Sequence, residues 1–257
     1  MNNSLNNKML KEKYDQIFND GAYKNYFTFN SYSIFEEIVA ATNWENKDVL
    51  DIGCGEGELS AMISFAGAKR VHAIDYSNKA IELSKNRINL ENVFFECMEG
   101  KDVTEKYDVI VMAGVLEHID DPFDMLKNLM KNNLNKGGVL VTASPSFVNP
   151  RGYVWMTLQI LLNVPMSLSD IHFFLPDDFK EFGEKNGYNI ENSTISHDWG
   201  GGRKTILDFK KRLVNALSDA NLDNTKVPEF LNWMEKSIPY FEHTEESGAI
   251  MVTKIKK

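Results

Sequence analysis

Short apolar runs alternate with amphipathic segments over residues 48–145. Runs of this length predict buried strands, and the segments between them repeat apolar residues at helical spacing. Strands are predicted at 48–52, 70–74, 93–96, 107–112 and 138–143. Because strands and helices alternate, and because runs such as VLDI and VIVM are apolar almost throughout, the pattern predicts a parallel sheet covered by helices on both faces.

The remaining chain predicts further helices and two more strands. A helix is expected at 32–41, and the apolar stretch at 149–170 predicts another that ends near 163–165. Residues 175–187 form a helical pattern with Pro176 in its first turn and Gly187 at its end. Strands are expected at 188–196 and 248–255. The connection between them is long for a hairpin, and helical patterns at 204–220 and 227–236 predict that it is a helical insertion.

Glycines at alternate positions, Gly53, Gly55 and Gly57, follow the first strand directly, and that strand carries one acid, Asp51. Glycine has no Cβ and tolerates positive φ, so the backbone can turn sharply and let a ligand approach closely. In open α/β sheets, ligands bind at such strand-to-helix turns. The spacing G-x-G-x-G differs from the dinucleotide fingerprint G-x-G-x-x-G, which disfavours NAD. The alternative is a tight turn without a ligand.

The segment 49–60, VLDIGCGEGELS, resembles motif I of the class I S-adenosylmethionine-dependent methyltransferases. The resemblance covers 47–145 most strongly, and 172–196 and 248–255 to a lesser degree. It implies an α/β fold with a doubly wound, mostly parallel, seven-stranded Rossmann-like sheet, whose last two strands pair antiparallel at one edge. It also implies that the motif I residues hold the methionine and ribose parts of S-adenosylmethionine: Asp51, Gly53, Cys54, Gly55 and Gly57.

An acidic residue, Asp75, ends the second predicted strand and is followed by Tyr76. A carboxylate roughly 20 positions beyond a glycine loop is suited to accept both hydroxyls of a ribose. The alternative is a turn or helix-capping role, although Ser77 and Asn78 could cap the next helix equally well. With the glycine loop before it, Asp75 is predicted to bind the ribose.

The resemblance implies further cofactor contacts. The turn after the third strand is expected to lie along the adenine ring, and many relatives have an Asp where this chain has Cys97. The small residues after the fourth strand leave room for the methionine end, and an N-terminal aromatic residue is expected to cover it. The corresponding residues are Cys97, Met98, Glu99, Ala113, Gly114 and Tyr26.

The segment 113–122, AGVLEHIDDP, resembles the signature of methyltransferases that act on small molecules. Val115 and Leu116 are predicted to begin the next helix. Transfer to a hydroxyl benefits from a base, and histidine is the natural candidate. His118 and His172 are predicted catalytic residues because both lie where loops face the expected cleft, whereas His72 lies inside a strand. Each could instead be a packing residue.

Candidate substrate contacts lie in the insertions, which are expected to form a lid over the cofactor cleft. They are Arg151, Tyr153, His197, Trp199 and Arg203, with ordinary lid packing as the alternative for each. The predicted division is an N-terminal helical cap segment at 1–46 and a methyltransferase domain at 47–257. The lid insertions are expected at about 146–172 and 198–247.

The composition narrows the class of partner. The chain of 257 residues carries a net charge of −9, which opposes binding to DNA or RNA. No secretory leader is expected, because no unbroken apolar core follows the first residues, and the apolar stretch at 149–170 is too short and too interrupted to span a bilayer. Cys54 and Cys97 are expected to be reduced thiols in a cytoplasmic enzyme, with a disulfide between them as the alternative. No Cys/His spacing indicates a zinc site, so no metal is expected.

Together these patterns predict methyl transfer from S-adenosylmethionine to a small molecule, with a hydroxyl oxygen of a sugar or natural-product intermediate as the acceptor. The alternatives are transfer to nitrogen or carbon, a nicotinamide-dependent oxidoreductase, and a non-catalytic cofactor-binding protein.

Overall fold

The computed structural model describes residues 32–164 and 170–257. In this part of the chain, a sheet has the strand order β3-β2-β1-β4-β5-β7-β6. Its strands are β1 (Asp48–Ile52), β2 (Arg70–Asp75), β3 (Val93–Cys97), β4 (Tyr107–Ala113), β5 (Leu134–Pro145), β6 (Asn189–Ile195) and β7 (Ile250–Lys256). β1 to β5 pair in parallel, and β7 is antiparallel to both β5 and β6. The predicted seven-stranded, mostly parallel sheet is therefore confirmed.

Helices follow the strands in the order that the sequence predicts. They are α1 (Tyr32–Ala40), α2 (Glu58–Phe65), α3 (Asn78–Arg87), α4 (Pro122–Asn132), α5 (Pro150–Leu162), α6 (Pro176–Asn186), α7 (His197–Gly200), α8 (Arg203–Asp219) and α9 (Val227–Ser237). Gly187 ends α6 in the left-handed conformation, as its position predicts. Among the described helices, none is long and apolar enough to cross a membrane.

Both faces of the sheet are buried. Neighbouring residues of β1 belong to different clusters, since Leu50 packs with α4 and α6 while Val49 packs with α1, α2 and α3. The strand residues are therefore apolar on both sides, which explains the nearly continuous hydrophobic runs. Burying apolar surface stabilises this arrangement by roughly 25 cal/mol for each Å² removed from water.

The two insertions share a separate hydrophobic cluster. Trp155 of α5 packs with Phe209 and Leu213 of α8 and with Met234 of α9. The predicted helical character of both insertions is confirmed. Because their apolar side chains pack on one another, the insertions form a helical layer with a core of its own.

The segment after β4 corrects one prediction. Val115 and Leu116 were expected to begin a helix, but only a single 3-10 turn, Leu116–His118, forms there. The α-helix begins at Pro122, whose fixed φ suits the first helical position and whose missing N–H costs no hydrogen bond there. The short turn leaves Glu117 and His118 near the carboxyl end of β4.

Candidate active site

The glycine loop between β1 and α2 is fixed to the end of β2. Gly53 and Cys54 both donate their backbone N–H groups to the carbonyl oxygen of Ile74, at 2.8 and 3.0 Å. Gly53, Gly55 and Gly57 have φ values of +74°, +54° and +85°, a region that strains residues with a Cβ. The loop therefore needs glycine for its backbone path, whether or not a ligand is bound.

Gly55 differs from its two neighbours in what surrounds it. A Cβ added at Gly53 would clash with Val115, and one added at Gly57 would clash with Phe95. A Cβ added at Gly55 would meet no heavy atom within 4 Å. Gly53 and Gly57 thus allow close packing inside the protein. Gly55 borders open space at the carboxyl edge of the sheet, where a ligand can lie against the backbone.

Asp75 lies beside this opening with its carboxylate held in place. Its Oδ2 accepts the N–H of Gly55 at 3.0 Å, and its Oδ1 accepts the N–H of Ser77 at 2.8 Å. The cap of α3 is the Ser77 hydroxyl, which accepts the N–H of Ala80 at 3.2 Å. The helix therefore does not need Asp75 as its cap. A carboxylate offers about four acceptor sites on its two oxygens, which suits a diol.

Asp51 is a buried acid directly before the loop. Its side chain is 1% exposed and accepts a 2.5 Å hydrogen bond from the Ser60 hydroxyl. The pKa of Asp51 is raised to about 7, mainly by burial and to a smaller extent by the charge of Asp75, while the hydrogen bond from Ser60 acts in the opposite direction. A cationic group nearby would favour the ionised form. The two acids thus suit a ligand that carries a positive charge and a ribose.

The remaining predicted cofactor residues surround the ends of β2, β3 and β4. The Cys97 thiol donates to the carbonyl oxygen of Tyr76 at 3.6 Å, and the Met98 N–H donates to that of Asp75 at 3.1 Å. Both cysteines are free thiols, and burial raises the pKa of Cys54 well above its usual value.

Glu99 and Gly114, two further members of this predicted set, have contacts of their own. Glu99 forms an ion pair with Lys101 at 2.6 Å. Gly114, which follows Ala113 at the end of β4, donates its N–H to the carbonyl oxygen of Ala143 at 2.8 Å. Tyr26 lies outside the described residues.

The two predicted catalytic histidines come together although they are far apart in sequence. The N–H groups of Ile171 and His172 donate to the carbonyl oxygen of Glu117 at 2.8 and 3.2 Å. The His172 ring places Nε2 at 2.7 Å from the carbonyl oxygen of Ile119 and stacks on Phe174. His172 thus joins the second segment to the 3-10 turn that carries His118.

An acidic pair completes this cluster. Nδ1 of His118 lies 3.4 Å from Oδ1 of Asp170, and a carboxylate oxygen of Glu117 lies within 4.8 Å of a ring nitrogen of His118 and of a carboxylate oxygen of Asp170. Glu117 is buried and accepts a 3.2 Å hydrogen bond from the Ser144 hydroxyl. The pKa of Glu117 is raised to about 8, mainly by burial and to a smaller extent by the charge of Asp170. Sequence reasoning assigned no role to Asp170, because only the fold brings it beside His118.

The predicted substrate residues are spread over the insertions. Arg151 lies in the first turn of α5, and its Nε donates to Oδ2 of Asp208 in α8 at 2.9 Å. Tyr153 is largely exposed and lines an apolar groove of about 430 Å³ between α5, α8 and α9. His197 and Trp199 lie in α7, and Arg203 is exposed at the start of α8. Of these residues, Arg151 is the one tied into a buried ionic network.

Asp208 is the centre of that network, and sequence reasoning did not single it out. Its buried carboxylate also lies 3.4 Å from Trp155 Nε1 and 3.4 Å from Arg212 Nη1. Burial by itself would raise the pKa of Asp208, but Arg151 and Arg212 hold it below its usual value. The partners are separated by four to 57 positions, and the i, i+4 spacing of Asp208 and Arg212 was the only local signal.

Comparison with known proteins places this geometry in context. Residues 26–193 match a family model described as a methyltransferase domain. The mitochondrial ubiquinone biosynthesis O-methyltransferase of Schizosaccharomyces pombe is 30% identical over 158 residues, which are 58% of this chain and 57% of that protein. The Coxiella burnetii ubiquinone biosynthesis O-methyltransferase is 28% identical over 162 residues, 60% of this chain and 68% of that protein. The chain thus spans less than two thirds of the fission yeast relative.

A solved structure shows the same fold over the full length. The complex of DhpI with SAM and HEP aligns with 100% of both chains at a TM-score of 0.61 and 16% sequence identity. At this identity the similarity establishes the fold and not the substrate.

Proposed function

Because this chain belongs to the methyltransferase-domain family, we propose that it transfers the methyl group of S-adenosylmethionine to a hydroxyl oxygen of a small molecule, such as a sugar or natural-product intermediate. The observation that carries the proposal is the glycine loop, which borders open space at Gly55 beside the carboxylate of Asp75, with the buried acid Asp51 shortly before it in β1. The names of the two relatives support oxygen as the acceptor atom.

The chemistry of the donor set fits this cofactor. When bound, S-adenosylmethionine supplies a methyl group on a positively charged sulfur. Asp75 binds the ribose hydroxyls, and Asp51 provides negative charge near the amino end of the methionine. Around them, the proposed contacts are Gly53, Cys54, Gly57, Tyr76, Cys97, Met98, Glu99, Ala113, Gly114 and Tyr26.

His118 is the proposed general base. Asp170 lies beside Nδ1 of His118, so that Nε2 is the nitrogen that accepts the proton of the acceptor hydroxyl. A carboxylate next to the ring stabilises the imidazolium that forms. His172 is the second candidate, with its Nδ1 as the proton acceptor, because its Nε2 already meets the carbonyl oxygen of Ile119.

The insertions complete the proposal as a roof over the cleft. The segments at about 146–172 and 198–247, together with the N-terminal segment 1–46, cover the cofactor and the acceptor. A roof of this kind excludes water and holds the acceptor in line with the methyl carbon. The packing of α5 against α8 and α9 supports it, because these helices form one layer with its own core.

Two measurements test this function. Isothermal titration with S-adenosylmethionine and with NAD decides the cofactor, and binding of NAD alone would overturn the proposal. Methyl-labelled S-adenosylmethionine, incubated with pools of hydroxylated metabolites, then reports the acceptor, and a labelled methyl ether is the expected product.

His118 can be tested in the same assay. His118→Ala is expected to lower turnover about 100-fold while cofactor affinity is unchanged. His172→Ala serves as the comparison, since it removes the other candidate base. Unchanged turnover in the His118 variant would exclude His118 as the base.

A further inference from the structure

Arg151 occupies a position where the roof meets the carboxyl edge of the sheet. It lies in the first turn of α5, a few residues after the end of β5. β5 pairs with β4, whose carboxyl end leads into the turn that carries His118. Arg151 and His118 therefore both follow the carboxyl ends of adjacent parallel strands, the edge of the sheet where α/β proteins bind ligands.

Only part of the Arg151 guanidinium is used by the protein. Its side chain is 15% exposed, and Nε donates to Asp208 at 2.9 Å. Within 32–164 and 170–257, its two terminal amino groups have no hydrogen-bond or ion-pair partner. They are also absent from the side-chain atoms that are sealed from solvent without a partner. The amino groups therefore reach solvent from a largely buried side chain.

Asp208 has too many partners to satisfy Arg151 fully. Its single carboxylate serves Arg151, Trp155 and Arg212. A purely structural arginine usually presents two N–H groups side by side to one carboxylate. Here Asp208 fixes the direction of the Arg151 side chain through Nε and leaves the planar pair of amino groups for another partner.

We propose that Arg151 binds an anionic group of the methyl acceptor, a carboxylate or a phosphate. Both groups match the two parallel N–H donors of a guanidinium. Because Asp208 already holds the Arg151 side chain, little conformational freedom is lost when the anion binds. The positive end of the α5 dipole adds to the attraction. This inference rests on the proposed function and deepens it, since it states the class of acceptor.

The ionic network relates this anion site to the proposed base. Arg151 contacts Asp208, Asp208 contacts Arg212, and the charge of Asp170 acts on Arg212 from the side of His118. Arg151, Asp208, Arg212 and Asp170 thus form a series of neighbouring opposite charges between Arg151 and His118. An acceptor that spans the two ends of this series carries a hydroxyl at one end and an anionic group at the other, as in a hydroxy acid or a phosphorylated alcohol.

Titration of simple anions tests the inference. Benzoate and, separately, inorganic phosphate are titrated into the full chain by calorimetry at constant ionic strength, with and without S-adenosylhomocysteine. The wild type is expected to bind at least one of them, and the anion that it binds more tightly identifies the anionic group as a carboxylate or a phosphate. Arg151→Lys keeps a charged partner for Asp208 but lacks the two parallel donors, so its affinity should fall about tenfold or more.

The control is the same change at Arg70, Arg70→Lys. Arg70 begins β2 and so lies at the amino ends of the strands, away from the proposed anion site, and the variant should leave anion affinity unchanged. The inference is overturned if the wild type binds neither anion, or if Arg151→Lys binds as tightly as the wild type. Titration of S-adenosylhomocysteine itself separates the two claims. If the wild type binds S-adenosylhomocysteine but neither anion, only the role of Arg151 fails. If the wild type does not bind S-adenosylhomocysteine, the proposed function is contradicted.

Discussion

Two buried acids, Asp51 and Glu117, lie at the candidate active site. Asp51 and Glu117 are both shielded from water, and burial raises their pKa values to about 7 and about 8. Perturbed acids at the carboxyl edge of an α/β sheet are typical of functional sites. The sequence predicted Asp51, because it lies in a recognisable motif. It could not predict the protonation of Glu117, which depends on Ser144, Asp170 and the surrounding packing.

The raised pKa of Asp51 predicts how stability depends on pH. Below about pH 4, both the folded and the unfolded chain hold this proton. As the pH rises from about 4 to 7, the unfolded chain releases it while the folded chain retains it, so the free energy of unfolding falls. Urea unfolding at several pH values should show this decline. In Asp51→Asn, the decline in the free energy of unfolding between about pH 4 and 7 should be smaller by a few kcal/mol. Identical slopes in the two proteins would contradict the assignment.

Asp75 provides a prediction about affinity. Asp75→Asn preserves the shape of the side chain and one acceptor oxygen but removes the charge that would bind the ribose diol. Calorimetric affinity for S-adenosylmethionine should fall by about 1–3 kcal/mol. Asp177→Asn, an exposed acid in the first turn of α6, is the control and should bind like the wild type. Equal affinity in both variants would remove Asp75 from the ribose site.

At the level of elements, the glycine loop and the layer of α5 and α8 show two different degrees of predictability. The loop follows from local rules, since glycine spacing after a buried strand dictates where positive φ values occur. The contact between Arg151 and Asp208 joins positions 57 residues apart. No periodicity within either helix selects that pairing, so only the assembled fold reveals it.

Gly55 allows a matched test of the loop. Gly55 and Gly137 both have positive φ, and a Cβ at either position meets no heavy atom of the protein within 4 Å. Replacing either by Ala should cost about 1 kcal/mol of stability through backbone strain. Only Gly55→Ala should also abolish binding of S-adenosylmethionine, because its new methyl group enters the ligand space. Cofactor binding by Gly55→Ala as strong as by Gly137→Ala would contradict the loop geometry.

The ionic contact between α5 and α8 predicts a loss of stability. Asp208→Ala leaves two largely buried guanidiniums without their shared carboxylate, and removing one partner of a buried ion pair costs about 3–5 kcal/mol. Asp219→Ala, at an exposed position of the same helix, should change stability by less than about 0.5 kcal/mol. Chemical denaturation of both variants measures the difference. A similar small effect for both would show that the network does not hold the insertion.

At the scale of the whole molecule, the sheet was the most predictable part. Apolar runs predicted the five parallel strands to within a few residues, whereas the edge strand β6 is polar and has no fully buried residue. β6 and β7 pair antiparallel as the family resemblance implies. The meeting of His118 with Asp170, and of Arg151 with Asp208, was not predictable. These contacts join the end of β4 to the first insertion, and the first insertion to the second, so they depend on how the helical layer packs rather than on any local pattern.

The central claim is that S-adenosylmethionine binds in the glycine loop between β1 and α2. A crystal structure of the full chain grown with S-adenosylhomocysteine tests it most directly. The account predicts the nucleoside against Gly55, with its ribose hydroxyls on Asp75 and its amino group near Asp51. A nucleoside bound at another place, or a loop closed by protein side chains at saturating ligand, would contradict it.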